Sequence, residues 1–351
     1  MERSLSQDLA ESQTIHIAFT INEAYVKYFV VCLTSILESA GDEELHFYVI
    51  HDDITEHSKK RILELKHIKD FAANFIVVNP QVIKQIKAPT QSHISANTSY
   101  RLKIGSIMQN LDRIIFLDAD LIVKSNLLAL WNTDISNYYL ASVVDQAPVN
   151  KKFNDWIPNL KLPNNFRYVN TGVCLCNLKK WREDNMEKLF FDVAVEYHSA
   201  LKFPEQDILN IACAPKILKL SHTWNAMPLQ EYIVKKEKEE AFANPHIIHY
   251  AGYNKPWIYL DAPYADLFWK YARKTSYYEE LLYGCKKETL RQTIDDIYWL
   301  MREIQLKKTY YRKFIKYKLL RILTLGLVKK YRTRRNKYHN KLKYLKKRFA
   351  W

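Results

Sequence analysis

The chain is short of glycine and cysteine, lacks a long apolar run, and carries no acidic side chain in residues 307–351. Six glycines among 351 residues form neither a Walker pattern nor G-x-G-x-x-G, which argues against a glycine-rich phosphate loop. The five cysteines (Cys32, Cys174, Cys176, Cys213 and Cys285) are scattered without C-x-x-C spacing, as expected for neither a zinc ribbon nor a dithiol redox centre. An odd, sparse set fits a reducing compartment better than a disulfide framework. Cys174 and Cys176 stand two apart in an apolar run, so they read as buried strand residues. The N-terminal Met-Glu-Arg-Ser-Leu-Ser-Gln-Asp has no apolar signal core, and retention in the cytoplasm is the expectation. Leu319-Leu-Arg-Ile-Leu-Thr-Leu-Gly-Leu-Val328 is apolar but far too short to span a bilayer.

What is present is unevenly placed. Of the net charge of +15, residues 307–351 contribute 18 Lys and Arg, leaving 35 basic against 38 acidic residues elsewhere. The remainder is nearly neutral, and the chain as a whole has an ordinary globular composition, with 48% hydrophobic and 26% charged residues. Residues 15–19, 46–51 and 75–78 read as strands, alternating with helical stretches at 24–39, 56–65 and 99–109. Strands at 140–145 and 172–177 and helices at 181–198 and 206–213 follow. Residues 224–263, rich in Pro, Asn and aromatics, read as irregular and lid-like, and the chain is helical in character from 264. This alternation predicts an α/β fold with a mostly parallel sheet covered on both faces. Ligands then bind beyond the carboxyl ends of the strands. The expected division is a catalytic domain over 1–263 and a helical region over 264–351, its basic tail starting near 307.

The most informative segment is Arg113-Ile-Ile-Phe-Leu-Asp-Ala-Asp-Leu-Ile-Val-Lys124. In a strand, residues i and i+2 point the same way, so Asp118 and Asp120 are expected to face one site. Two carboxylates at the edge of an apolar core are costly unless a cation compensates them. Mg²⁺ and Mn²⁺ prefer carboxylate oxygens and keep positions open for phosphate oxygens. Read alone, the pair is equally well a capping or turn motif. Three further clusters carry polar chemistry. His246-Ile-Ile-His249-Tyr-Ala-Gly252-Tyr-Asn-Lys255-Pro-Trp257 offers a nitrogen ligand, a glycine turn and a cation for a phosphate. Phe203-Pro-Glu205-Gln206-Asp207-Ile-Leu-Asn210 opens a helix, where acidic groups also suit the dipole. Tyr168-Val-Asn170-Thr171-Gly172-Val-Cys-Leu175 is a polar loop entering a strand.

In this order the clusters resemble the glycosyltransferase family 8 pattern, over roughly residues 15–257. The matching motifs are Ile15-His-Ile-Ala-Phe-Thr20 with Tyr25 downstream, Thr98-Ser-Tyr-Arg-Leu-Lys103, Phe116-Leu-Asp-Ala-Asp120, Asn170-Thr-Gly-Val173 and Glu205-Gln-Asp-Ile-Leu-Asn210. His249-Tyr-Ala-Gly-Tyr-Asn-Lys-Pro-Trp257 closes the series. That family includes bacterial lipopolysaccharide and lipo-oligosaccharide galactosyl- and glucosyltransferases and glycogenin. The resemblance implies a GT-A fold, Rossmann-like, that transfers a hexose (galactose or glucose) from a UDP-sugar with retention. It implies Mn²⁺, or Mg²⁺, held by Asp118, Asp120 and His249. Thr20, Asn22, Tyr25, Arg101, Ala119, Asn170, Thr171, Gly252 and Lys255 match donor-binding positions, with Tyr25 stacking on uracil. Gln206, Glu205 and Asp145 match positions around the reacting sugar. Two departures stand out. Asn22 and Glu23 replace an aspartate that accepts from the uracil N–H, and Glu205 replaces a shorter Asp.

The tail interleaves Lys and Arg with Tyr, Phe, Leu and Ile, the pattern of a surface helix on anionic lipid. No RNA-recognition module accompanies it, which argues against nucleic acid. The expected partners are a UDP-hexose, a lipid-linked oligosaccharide acceptor of the lipopolysaccharide type, and the inner face of the cytoplasmic membrane, where the enzyme docks peripherally. The competing readings are a non-catalytic UDP-sugar-binding scaffold of the same fold and a self-glycosylating, glycogenin-like enzyme.

Overall fold

β-Branched and aromatic runs become strands, the central ones buried on both faces, and they set the positions of everything else. The computed structural model describes residues 13–83, 96–146, 157, 160, 162–163, 166–232, 234–253, 255–323 and 329–348. Asn254 of the His249–Trp257 motif and residues 324–328 of the apolar tail segment lie outside them. The strands are β1 (Thr14–Thr20), β2 (Glu44–His51), β3 (Ala72–Val77), β4 (Arg113–Leu117), β5 (Leu121–Val123), β6 (Leu140–Val144), β7 (Val169–Asn177), β8 (Ile217–Lys219) and β9 (Ile247–His249). Seven form one sheet in the order β3-β2-β1-β4-β7-β6-β8, and β5 pairs with β9 separately. The β1–β2, β2–β3, β1–β4 and β6–β8 ladders are parallel. Within this sheet only β7 runs antiparallel to its neighbours, β4 and β6, and the separate β5–β9 pair is antiparallel too. The sheet is therefore mostly parallel, as the alternation predicts. Every residue of β6, and all of β7 except Asn177, is buried. Such near-continuous apolar strands belong to a sheet covered on both sides.

Helices supply that cover. Val26–Ser39 buries ten residues, including Phe29, Val30, Leu33 and Leu37. Thr55 caps Glu56–Leu63 by accepting from the Ser58 N–H at 3.2 Å. Asn177 caps Leu178–Glu183 in the same way through Lys180, and Pro204 occupies the first turn of Pro204–Cys213. Three expectations change in detail. The 99–109 stretch is a 3₁₀ segment, Ala96–Lys103, followed by a single turn, Ile104–Ile107. The 181–198 stretch is two helices, Leu178–Glu183 and Met186–Glu196, broken where Asn185 takes φ +51°. Residues 224–263 are not all irregular: they contain the helix Lys235–Ala243 and strand β9.

The chain divides into two compact units, Met1–Tyr283 and Gly284–Trp351. The helix Ala265–Ala272 belongs with the first, packing on Val26–Ser39. Within the second, Tyr317 stacks on Tyr338 with ring centroids 5.9 Å apart, and Arg334 donates to the Tyr317 hydroxyl at 3.0 Å.

The direction of β7 matters most for the site. Because β7 is antiparallel, its first residues lie beside the carboxyl ends of both β4 and β6, with Val173 opposite Leu117 and Val169 opposite Val144. Asp118, Asp145 and the Asn170–Gly172 segment thus meet at one edge of the sheet.

Candidate active site

Asp118 is the first residue after β4, and its N–H bonds to the Gly172 carbonyl at 2.8 Å. The chain turns at Ala119 and delivers Asp120 to the start of β5. The carboxylates therefore converge across a turn rather than along one strand. The third partner arrives through the β5–β9 ladder, which sets His249 opposite Leu121 and bonds the Tyr250 N–H to the Asp120 carbonyl at 3.0 Å. One ligand atom from each of Asp118, Asp120 and His249 lies within 4.8 Å of the other two. His249 Nε2 stands 3.2 Å from Asp120 Oδ1 and 3.8 Å from Asp118 Oδ2.

Two carboxylates and one imidazole aimed at one point suit Mn²⁺ or Mg²⁺. The packing around them fits such a site. A Cβ added to Gly172 would lie 2.3 Å from His249 Cε1 and 2.8 Å from Asp118 Oδ2, so only glycine leaves room for the trio. Burial opposes ionisation of Asp120, but the charges of Lys255 and His249 overcome it and hold the carboxyl well below its ordinary range. Lys255 Nζ rests directly on the Asp120 carboxylate and also donates to the Tyr250 carbonyl at 2.6 Å. Buried Arg101 braces Asp118 from the other side at 2.5 Å. It donates to the Thr171 carbonyl at 2.8 Å and stacks on Phe116, 4.3 Å from the ring centroid.

Beside this trio lies a polar pocket built from β6, β7 and Pro204–Cys213. Gln206 donates to Asp145 Oδ2 and to the Tyr168 hydroxyl at 3.1 and 3.2 Å, and accepts from the Thr171 N–H at 3.0 Å. Asn170 donates to the same Asp145 oxygen at 3.1 Å. Asn210 clamps both backbone groups of Val169 at 2.8 Å, which ties the helix to the strand. Asp207 accepts from the Tyr168 hydroxyl and from the Lys202 and Phe203 N–H groups. It is thus a structural anchor, not simply an acid at a helix dipole.

Glu205 is buried, and its Oε2 has no hydrogen-bond partner among the described residues. Burial pushes its carboxyl above the ordinary range, although Arg101 pulls the other way. A carboxyl whose pKa is raised by folding favours the folded state while protonated and loses that advantage as the pH rises through the folded value. Glu205→Gln is therefore expected to raise the melting temperature of the free protein by about 2–4 °C at pH 7.5. The gain should vanish near pH 4, where the glutamate is protonated. Calorimetry at both values checks this, and no gain at pH 7.5 contradicts it.

The third part of the site gathers at the end of β1. Thr20 closes the strand, Asn22 Oδ1 caps the Tyr25 N–H at 3.1 Å, and Tyr25 packs edge-on against Tyr28. Burial and then the charges of Asp120 and Asp118 push the Tyr25 phenol up, with Tyr28 adding to the effect. Tyr28 in turn stacks on Trp257, centroids 4.1 Å apart. Glu23 is turned away from this cluster. Its carboxylate accepts from the Thr55 N–H and the Ser58 hydroxyl, so of the two residues replacing the aspartate only Asn22 stays beside Tyr25. Gly252 adopts φ +112°, a conformation that favours glycine, just before Lys255.

Sequence reasoning placed Tyr168 at the head of a polar loop without giving it a role, and missed Asn225. Asn225 is buried and joins Asn170 to His249, at 2.9 Å on each side. Asn225 ends a short 3₁₀ turn, and no local pattern marks it.

Comparison with known proteins agrees with this geometry. The model of glycosyl transferase family 8 matches residues 16–261. A putative glycosyltransferase of Haemophilus influenzae is 30% identical over 247 residues, covering 70% of this chain and 74% of that protein. A lipopolysaccharide 1,2-glucosyltransferase of Escherichia coli is 27% identical over 309 residues, covering 79% and 88%. Among solved structures, the galactosyltransferase LgtC in complex with donor and acceptor sugar analogues superposes with a TM-score of 0.66. It is 26% identical, over 75% of this chain and 96% of that one. With the Asp-x-Asp turn, the His249 strand and the Gln206 helix all falling inside the matched span, and a mostly parallel GT-A sheet beneath them, the chain belongs to glycosyltransferase family 8.

Proposed function

We propose that the protein is a metal-dependent, retaining transferase that moves a hexose, galactose or glucose, from a UDP-sugar to a lipid-anchored surface glycan. The convergence of Asp118, Asp120 and His249 beside Lys255 carries this reading. A divalent cation held by these three residues supplies positive charge opposite the diphosphate leaving group. Lys255, released from Asp120, adds a second positive charge where negative charge develops. Tyr25 offers a ring face to the base, and Arg101 keeps Asp118 oriented. On the sugar side, Gln206 is fixed by its bonds to Asp145, Tyr168 and Thr171. An amide is a poor nucleophile, so retention here fits front-face attack, in which the leaving phosphate takes the acceptor proton. A trapped glycosyl-enzyme at Gln206, Asp145 or Glu205 would sink that mechanism.

A donor screen by UDP release tests activity and sugar together. Mn²⁺-dependent release from UDP-galactose or UDP-glucose is expected. UDP binding that ignores Mn²⁺, with no release from any UDP-hexose, would favour a non-catalytic scaffold.

The second unit supports a membrane-facing role. No described helix is long and apolar enough to cross a bilayer. Tyr311, Leu319, Ile322 and Leu323 are exposed along one helix whose neighbours are Lys and Arg. That combination suits a helix lying on anionic lipid at the inner face of the cytoplasmic membrane. Each basic side chain at such a surface contributes about 1 kcal/mol, so a few of the 18 suffice. Deleting residues 307–351 is expected to lower partitioning onto phosphatidylglycerol vesicles at least ~10³-fold while leaving UDP-sugar hydrolysis intact. Unchanged partitioning refutes the membrane role.

A further inference from the structure

We propose that Asn225, by accepting from His249 Nδ1–H, orients the ring with Nε2 toward the metal position, making Asn225 a positioning residue of the site. The proposal rests on the metal-dependent reading above. It comes from a row of hydrogen bonds whose direction is set at one end. An ionised carboxylate only accepts, and a backbone N–H only donates. Asn170 meets one of each: Asp145 Oδ2 at 3.1 Å and the Gly172 N–H at 3.0 Å. Its NH₂ must therefore face Asp145 and its Oδ1 must face Gly172. Asn225 reaches the same Oδ1 at 2.9 Å, so it presents its own NH₂ there. The Asn225 oxygen is then left facing His249 Nδ1 at 2.9 Å, and that nitrogen carries the ring proton. Nε2 is the nitrogen left facing the point between Asp118 and Asp120, 3.2 Å from Asp120 Oδ1, where a bound cation would displace any proton it donates.

Backbone bonds hold this geometry. The Ala226 N–H bonds to the Ile247 carbonyl and the His249 N–H to the Ala226 carbonyl, at 3.0 and 2.8 Å. The turn bearing Asn225 and the strand bearing His249 are thus locked together. A metal-bound histidine commonly donates its second N–H to such a partner, and removing that partner typically weakens metal affinity 10–100-fold. The same row continues through Asp145 to Gln206, so the orientation of His249 is tied to residues of the sugar pocket.

The test uses full-length, metal-free protein labelled with ¹⁵N-histidine, the His249 signal being assigned by its loss in His249→Gln. The wild type is expected to show a protonated Nδ1, held by Asn225. Asn225→Ala should weaken protonation at Nδ1 and raise the Mn²⁺ Kd by roughly 10–100-fold. Asn225→Asp keeps an acceptor for Nδ1–H and should retain both the Nδ1 proton and near-normal Mn²⁺ binding, despite a charge at a buried position. A packing role alone predicts the reverse order. Asn225→Ser replaces the Ala variant if that one does not fold. A wild type with an unprotonated Nδ1, or an Asn225→Ala protein with unchanged Nδ1 signal and Kd, overturns the inference. A wild type with the expected Nδ1 proton that binds no Mn²⁺ overturns the metal reading instead.

Discussion

Asp120→Ala should lower kcat/KM for hexose transfer by at least ~10³-fold, about 4 kcal/mol of transition-state stabilisation, and remove Mn²⁺ binding at this site. Three features of Asp120 point to a loss of this size. It is one of three side chains, among the described residues, that face the proposed cation, 3.2 Å from His249 Nε2. It is more enclosed than Asp118, with a side chain 12% exposed against 31%, so water substitutes poorly for it. It also holds Lys255, whose ammonium would otherwise keep the Tyr250 carbonyl and the face of Trp257 but no anion among the described residues. Removing one member of a buried ion pair leaves an uncompensated charge, so the metal-free variant should melt at a lower temperature as well. The depressed pKa sets the pH window. The ionised carboxylate stabilises the fold fully above its ordinary range, and that contribution is lost progressively below it as pH falls toward and through the lower folded value. The melting difference between wild type and variant should therefore hold from neutral pH down to the ordinary carboxylate range and shrink below it. Titration calorimetry with Mn²⁺ and initial-rate kinetics check the two effects. A variant keeping a tenth of its activity with unchanged Mn²⁺ dependence would remove Asp120 from the site.

Much of this was legible in the sequence, for identifiable reasons. The apolar runs of β1, β2 and β4 leave little choice but buried strands, and the spacing between them fits the helices that cover the sheet. The ligand trio followed from residue types and motif order. The geometry of the trio did not. Alternation along one strand was the expected cause of convergence, whereas Asp118 and Asp120 flank a turn, and His249, 129 positions after Asp120, joins them through an antiparallel ladder. Such long-range pairing leaves no periodic mark on either segment. The strand β9 and the helix Lys235–Ala243 were hidden for a related reason. Three residues are too few to show a period, and Lys-Lys-Glu-Lys-Glu-Glu-Ala-Phe-Ala buries only Ala241, so its apolar signal is faint. Asn225 was invisible because a buried amide is recognised only by what it touches.

Gly172→Ala should cost about 10²-fold in kcat/KM and at least ~10-fold in Mn²⁺ affinity, from the addition of a single methyl group. The backbone is not the obstacle, since Gly172 lies within an extended strand and has no left-handed φ. Space is the obstacle. The new Cβ would fall 2.3 Å from His249 Cε1, 2.9 Å from Nδ1 and 2.8 Å from Asp118 Oδ2. None of these neighbours yields easily: β9 pairing and Asn225 hold His249, while Arg101 and the Gly172 carbonyl hold Asp118. The clash therefore resolves by displacing the ligands themselves, and a misplacement near 1 Å is enough for the loss predicted. Gly105→Ala is the matched control. Its added Cβ meets only Trp181, at 3.7 Å or more, in ordinary contact, and alanine suits a helical turn better than glycine. That variant should keep activity within about twofold and melt no lower than wild type. If Gly172→Ala binds Mn²⁺ and transfers hexose as well as Gly105→Ala does, His249 and Asp118 are free to move apart. The tight trio would then not be what the reaction requires.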